Sequence, residues 1–216
     1  VAGSGERDSP LGDHPGALPA PSIEQIRQRL AAHMPIERPV GRFRAASVLV
    51  PLIARPEGLS AVFTLRPRHM QQHGGQVSFP GGRVDATDPG RWETALREAD
   101  EELAIPRLAV QPLGRLDDMV TVTGYHVTPW VGLVAPDVTF RPSPAEVEDW
   151  FSVPLQALAN PGIRRTMRSA RHEGSGRLQF YLTAPHTIWG ATAHMLTEFL
   201  QILELVQRSE PNPTRR

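Results

Sequence analysis

The sequence predicts an α/β domain, and three observations carry that prediction. Two apolar runs rich in β-branched residues, 45–54 and 59–66, flank the turn signal Pro56-Glu57-Gly58, as in a hairpin. Between Trp92 and Leu103 the pattern changes to a helical period. Trp92, Ala95, Leu96, Ala99 and Leu103 then fall on one stripe that can face a core. Strand-like segments follow at 108–116 and 126–135, and the apolar spacing of a long closing helix runs from 188 to about 206.

Taken in order, residues 1–21 are rich in Gly, Pro, Ser and charge and read as a disordered tail, as do 208–216. A single domain is therefore expected over 22–207. Ser22 reads as an N-cap with Glu24 and Gln25 in the first turn, and Ile23, Ile26, Leu30 and Ala31 continue a short amphipathic helix to about His33. Pro35, Pro39 and Gly41 form a linker into the first strand, whose Val48, Val50, Leu52 and Ile53 suggest burial. Residues 68–77 read as a long loop with Arg66, Arg68, His69, Gln71 and His73 as a cationic, hydrogen-bonding edge. Pro80-Gly81-Gly82 reads as a turn outside helix and strand. Beyond the acidic helix, residues 166–171 and 177–183 read as a hairpin around Gly174-Ser175-Gly176. The Met and Leu stripe of the closing helix reads as core.

Composition narrows the function classes. At 216 residues and 40% hydrophobic, the chain suits one packed domain. Its formal net charge is zero, so no basic field points to nucleic acid or an anionic membrane. It has no cysteine, which excludes disulfides, thiolate catalysis and cysteine-based zinc sites. No apolar run approaches the length of a membrane span. A cytoplasmic enzyme is the expectation, with homodimerisation left open.

The helix near residue 100 carries an unusual face. At about 100° per residue, setting Glu98 at zero puts Glu102 near roughly 40° and Glu101 near roughly −60°. Three carboxylates thus share one arc, and Glu98 and Glu102 repel as an i,i+4 pair by roughly 0.2–0.5 kcal/mol. Arg97 offsets part of this through Glu93 and Glu101, but neither Glu98 nor Glu102 has a basic residue four places on. A solvated acidic face is one reading. The other is a site for a hard divalent cation, which turns the repulsion into coordination.

Gly82 followed by Arg97-Glu98-Ala99-Asp100-Glu101-Glu102-Leu103-Ala104-Ile105 resembles the Nudix box, G-x5-E-x7-R-E-U-x-E-E-x-G-U with U apolar. The run R-E-U-x-E-E matches without a gap. The glycine-to-arginine interval is one residue longer, Pro89 stands where a glutamate is usual with Asp88 the nearest carboxylate, and Ala104 replaces the closing glycine. The segment from Thr64 to Gly82 is similar to L-L-T-x-R-(S/A)-x3-R-x3-G-x3-F-P-G-G, the signature of the coenzyme A pyrophosphatase branch, through Arg66, Gly75 and Phe79 to Gly82. Pro67 and Gln71 depart from it. The longer box is itself a trait of that branch.

The resemblance implies an α/β/α sandwich with a mixed central sheet and metal-dependent hydrolysis of a nucleotide pyrophosphate. The implied substrate is coenzyme A or an acyl-coenzyme A, cleaved to 4′-phosphopantetheine and adenosine 3′,5′-bisphosphate with Mg2+ or Mn2+. Glu98 and Glu102 are the implied principal ligands, with Glu101 a third ligand or the base and the Gly81 carbonyl a further ligand. Arg97 orients the glutamates, and Glu146, ahead of Trp150-Phe151-Ser152-Val153-Pro154-Leu155, comes near the metals, with Glu148 its substitute. Arg66, Gln71 and His73 would bind the anionic substrate. Tyr125 and His126 either stack on adenine and hold a phosphate or cap the sheet. Gln71 keeps open another Nudix substrate such as ADP-ribose or a dinucleotide, and Pro89 keeps open a ligand-binding module without activity.

Overall fold

The structure, a computed structural model, describes residues 20–69, 74–168 and 177–207, with the side chains of Arg168 and Arg177 excepted. Gln71, His73, the turn at 174–176, nearly all of the expected N-terminal tail and 208–216 lie outside the described residues. Ser22 caps α1 (Ile23–Ala32) through a capping box with Gln25, and Ile26 and Leu30 are its buried residues. β1 (Arg44–Arg55) and β2 (Gly58–Leu65) form the expected antiparallel hairpin, closing at Arg55 opposite Gly58.

The central sheet is mixed. β1 pairs in parallel with β7 (Tyr125–Val134), while its pairing with β2 and all other pairings in the sheet are antiparallel. The strand order runs β3 (Val77–Ser78), β2, β1, β7, β5 (Val110–Arg115), with β6 (Met119–Val120) also on β7 and β8 (Asp149–Pro154) on β2. The pairing of β1 with β2 extends only from Arg55/Gly58 to Leu52/Ala61. Beyond that point the two strands part. β3 occupies the freed edge of β2 at Thr64 and Leu65, and β4 (Gly81–Arg83) the freed edge of β1 at Ala46 to Val48. Gly81 and Gly82 therefore lie in a strand rather than in a free turn. Pro80 has no N–H to offer a ladder, but its carbonyl accepts from Leu49 N at 2.9 Å, so the ladder survives it.

The two sheet faces bury different cores. Leu49, Ile53 and Val62 face α2 (Arg91–Leu103) and pack with Ala95, Leu96, Ala99 and Leu103. Val50, Leu52, Ala61 and Phe63 face the other way, toward α1 and α4 (Gly190–Ile202), with Leu196, Phe199 and Leu200. This alternation with period two along β1 and β2 makes the α/β/α sandwich, because each strand must feed both layers. A second sheet, β11 (Thr187–Trp189), β10 (Arg177–Leu182) and β9 (Arg164–Arg168), packs against α4, and α3 (Leu155–Ala159) follows β8.

Three boundaries differ from expectation. Residues 107–109 form a 3-10 turn before β5, so Leu108 is not in a strand and is fully exposed. Ile188 and Trp189 belong to β11, paired with Tyr181 and Phe180, so the closing helix begins at Gly190 and ends at Ile202. An apolar run alone does not separate a buried strand from the start of a buried helix. No helix among the described residues is long and apolar enough to cross a membrane.

Candidate active site

α2 meets β4 where β1 and β2 part. Gly82 leaves the room that the Glu98 carboxylate takes: a Cβ at that position would run into it and force it aside. Gly81 is pressed onto β1 instead, where a Cβ would meet Ser47 O and Val48 Cα at 2.6 Å. The pair thus lets the carboxylate of Glu98 and the backbone of β1 both approach β4.

The three glutamates of the helix do not share one environment. Glu102 is 1% exposed, the Glu98 side chain 12% and the Glu101 side chain 51%. Glu98 and Glu102 each bring a carboxylate oxygen to a group completed by Glu146, all within 4.8 Å of one another. Glu101 lies outside that group, in an ion pair with Arg97 at 2.9 Å. Glu146 reaches the cluster because its loop is stapled to the end of α2. Ser143 N donates to Glu102 O and Arg141 N to Leu103 O, both at 2.9 Å, and the next residue, Val147, is buried in the α2 core. Glu148 turns away, its Oε2 accepting from Arg68 N at 3.3 Å.

Burial dominates the electrostatics of this cluster. It pushes the Glu102 carboxyl up to about 8, a rise that Arg66 and the Gly81 N–H only partly relieve. Burial also raises Glu98, against the hydrogen bond from Arg97. Arg66 Nη1 stands 3.9 Å from Glu102 Oε1, and Gly81 N is 3.5 Å from the same oxygen. Glu102 Oε2 is buried with no hydrogen-bond partner. A buried carboxylate oxygen left unpartnered beside two other carboxylates is costly as it stands. A divalent cation with oxygen ligands would resolve it, so these residues fit such an ion.

Arg97 is held by a residue that the sequence marked only as the nearest carboxylate. Asp88 takes Arg97 Nε on Oδ1 at 2.9 Å and Nη2 on Oδ2 at 3.0 Å. The guanidinium fork holds Asp88 well below the usual carboxylate range. Arg97 Nη1 then donates to Glu98 Oε1 and Glu101 Oε2, each at 2.9 Å, and Nη2 to the Arg83 carbonyl. The arginine is therefore a fixed bracket between β4 and the cluster. The sequence signal for Asp88 was the extra residue in the interval, which shifts the nearest carboxylate by one place.

Of the expected substrate contacts, Arg66 is at the cluster, and Gln71 and His73 fall outside the described residues. Tyr125 is half-buried with the Arg44 guanidinium 4.2 Å over its ring. His126 is deeply buried. It is 2% exposed, and its Nε2 lies 2.7 Å from the Arg38 carbonyl and 3.5 Å from Asp118 Oδ2. Its position on an inward-facing register of β7 ties the sheet to the segment after α1, as the sheet-capping alternative expects.

Comparison with known proteins agrees with the residues. The NUDIX domain family matches residues 43–172. The "Uncharacterized Nudix hydrolase NudL" of Escherichia coli strain K12 is 41% identical over 169 residues, covering 77% of this chain and 87% of that protein. The protein of the same description from Shigella boydii serotype 18 matches with the same identity and coverage. Among solved structures, a MutT/nudix family protein from Enterococcus faecalis aligns with TM-score 0.48 and 14% identity, over 85% of this chain and 70% of that one. On the extent of the family match and the identity to these relatives, the chain belongs to the Nudix hydrolases.

Proposed function

We propose that this Nudix hydrolase cleaves the pyrophosphate of coenzyme A or an acyl-coenzyme A, giving 4′-phosphopantetheine and adenosine 3′,5′-bisphosphate. The observation that carries the reading is the juxtaposition of Arg66 and Glu102, at 3.9 Å. Arg66 belongs to the segment similar to the coenzyme A signature, and Glu102 to the box. One brings a cation for a diphosphate and the other an anion for a metal.

Nudix hydrolases use divalent metal ions, and here Glu98, Glu102 and Glu146 would hold one, with Mg2+ or Mn2+ and the Gly81 carbonyl as the proposed partners. When bound, such an ion lowers the pKa of a coordinated water and neutralises charge on the leaving phosphate. The chain supplies the rest. Arg97, fixed by Asp88, holds Glu98 in place. Arg66 draws the diphosphate toward the carboxylates, which would otherwise repel it. Glu146, on a loop rather than on the helix, accepts the proton of the attacking water. The water oxygen bonds to one phosphorus, the bridging P–O bond breaks, and each product keeps one phosphate of the former diphosphate, the nucleotide also retaining its 3′-phosphate. Glu101, at the exposed rim, steadies Arg97.

Initial rates on coenzyme A, ADP-ribose and NADH with Mg2+ or Mn2+ test the substrate, and product analysis in ¹⁸O-water tests the bond. Coenzyme A turned over fastest, with label in one phosphate product, is the expected result. Faster turnover of ADP-ribose or NADH would move the assignment to a second reading, another dinucleotide-like diphosphate. Gln71 favours that reading, because it removes one expected arginine from the signature. A binding module without turnover loses its support at Pro89, since Asp88 already holds Arg97.

A further inference from the structure

Arg66 stands just beyond the end of β2, and what fixes it there is a short piece of backbone. Up to Leu65, β2 is held along one side by β8, from Ser60 opposite Pro154 to Leu65 opposite Asp149. On its other side near that end it meets only β3, a strand of two residues, with Thr64 opposite Ser78 and Leu65 opposite Val77. Both backbone groups of Arg66 then bond to the segment leading into β3. Arg66 N donates to Gln76 O at 3.0 Å, and Gly75 N donates to Arg66 O at 2.9 Å. Wherever β3 goes, the arginine follows.

With Gln76 O turned toward β2, the next carbonyl, Val77 O, turns away from it. Thr192 of α4 meets it there. Its Oγ1 donates to Val77 O at 3.0 Å, a buried bond between residues 115 positions apart. Thr197 on the same helix does the ordinary thing, donating to Ala193 O four residues back. Thr192 instead reaches off the helix. Gly190, at φ 68°, turns the chain from β11 into α4, and Thr192 in the first turn lies against β3. Without the hydroxyl, Val77 O would be a buried acceptor left unmet, which favours β3 lifting away from α4 toward water. The far end of the same segment is anchored separately. Phe79 stacks on Phe63 with ring centroids 4.9 Å apart, and Gly81 to Arg83 pair with β1. Displacement of β3 therefore reaches Arg66 before it reaches the carboxylate cluster.

We propose, resting on the reading of Arg66 as the cation that meets the diphosphate, that Thr192 is a positioning residue. By capping Val77 O it fixes β3, and through β3 the backbone that carries Arg66. Steady-state rates with Mg2+ are compared for wild type, Thr192→Val, Thr192→Ser, Arg66→Gln and the double variant Thr192→Val/Arg66→Gln. The substrate is whichever of coenzyme A, ADP-ribose and NADH the wild type turns over fastest. Thr192→Val, which keeps the branched shape and removes the hydroxyl, should raise KM about tenfold with kcat within about twofold. Thr192→Ser, which keeps the hydroxyl, should restore KM. With Arg66→Gln already present, Thr192→Val should change KM by less than about twofold, because no guanidinium is left to place. Amide hydrogen exchange, read without metal or substrate, should quicken at Arg66 and Gly75 in Thr192→Val and stay as in wild type along α2. A normal KM in Thr192→Val, an equal rise in the Arg66→Gln background, or a loss confined to kcat overturns the role. Unchanged exchange at Arg66 overturns it whatever the substrate is. A normal KM in Arg66→Gln alone overturns the reading of Arg66, and this role with it. Should Thr192→Val fail to fold, Thr192→Ala, which removes the hydroxyl with less bulk, is judged by the same outcomes.

Discussion

Two places among the described residues gather three metal-capable side chains, and only one of them leaves a buried carboxylate oxygen unmet. Glu98, Glu102 and Glu146 form one group, and His33, Asp117 and Glu198 the other. In the second group the shortest approaches are already hydrogen bonds, and His33 Nε2 also stands 3.8 Å from Glu198 Oε1. His33 Nε2 lies 3.0 Å from Asp117 Oδ1, Ile36 N donates to the same oxygen at 2.9 Å, and Asp117 N donates to Glu198 Oε1 at 2.6 Å. None of its side-chain atoms is buried without a partner, so the group works as a staple joining α1, the turn after β5 and α4. In the first group Glu102 Oε2 has no partner and the Glu98 carboxylate lies against backbone made bare by Gly82. Proximity of ligands is therefore a weak criterion. An unmet buried oxygen is the sharper one.

The largest expected difference between the groups is catalytic. Glu102→Gln should lower turnover by roughly 10²–10⁴, the range for losing a central group, without loss of fold by circular dichroism. Glu198→Gln should leave turnover within about twofold. Near-normal turnover in Glu102→Gln would remove the cluster from the mechanism.

Metal binding separates them next. At a hundred times its dissociation constant, Mn2+ should stabilise the protein by about 2.7 kcal/mol, read as a shift in urea midpoint. The shift should vanish in Glu102→Gln and persist in Glu198→Gln. The reverse pattern would exchange the roles of the two groups. Asp88→Asn, which keeps the shape but removes the charge gripping Arg97, should cost about 10–100-fold in turnover or metal affinity. If it behaved as wild type, Arg97 would hold Glu98 unaided.

The staple should reveal itself through pH. Burial raises Glu198 to about 7 from an ordinary 4.5, with the Asp117 N–H opposing the rise and the Asp117 carboxylate adding to it. Between those values the folded protein holds a proton that the unfolded chain has released, so stability falls as pH rises through this window. With Mn2+ saturating the other cluster, Glu198→Gln should flatten that decline, gaining on the order of 1–2 kcal/mol at pH 8 relative to pH 5. A slope identical to wild type would assign the loss elsewhere. The smallest effect lies at the end of α2. Ala104 adopts φ 53° and ψ 41°, a left-handed conformation that a side chain disfavours. Ala104→Gly should raise unfolding stability by about 0.5–1 kcal/mol with activity unchanged. A loss of stability would mean that the methyl group packs better than it strains.

Much of this was legible from residue order. Ser22 and Gln25 announced the first helix, the hairpin around Pro56-Glu57-Gly58 closed as expected, and the 3.6-residue period placed the apolar stripe of α2 against the sheet. Helical spacing put Glu98, Glu101 and Glu102 on one arc, and local geometry is sufficient for that. It does not determine what lies opposite the arc. Glu102 faces inward because β4 and the loop bearing Glu146 close over it, whereas Glu101 points past them to water.

What the sequence determined by itself was the family, the alternation of strands and helices, and the residue types of the acidic site, because these depend on neighbours within a few turns of chain. The tertiary structure decided which carboxylates meet, that Asp88 grips Arg97, and that His126 is a buried tie. It also placed Gly81 and Gly82 in a strand wedged where β1 and β2 part. Apart from Asp88 and Arg97, which meet across the turn before α2, those contacts join residues far apart along the chain, and only packing fixes their register and the burial that sets each group's charge.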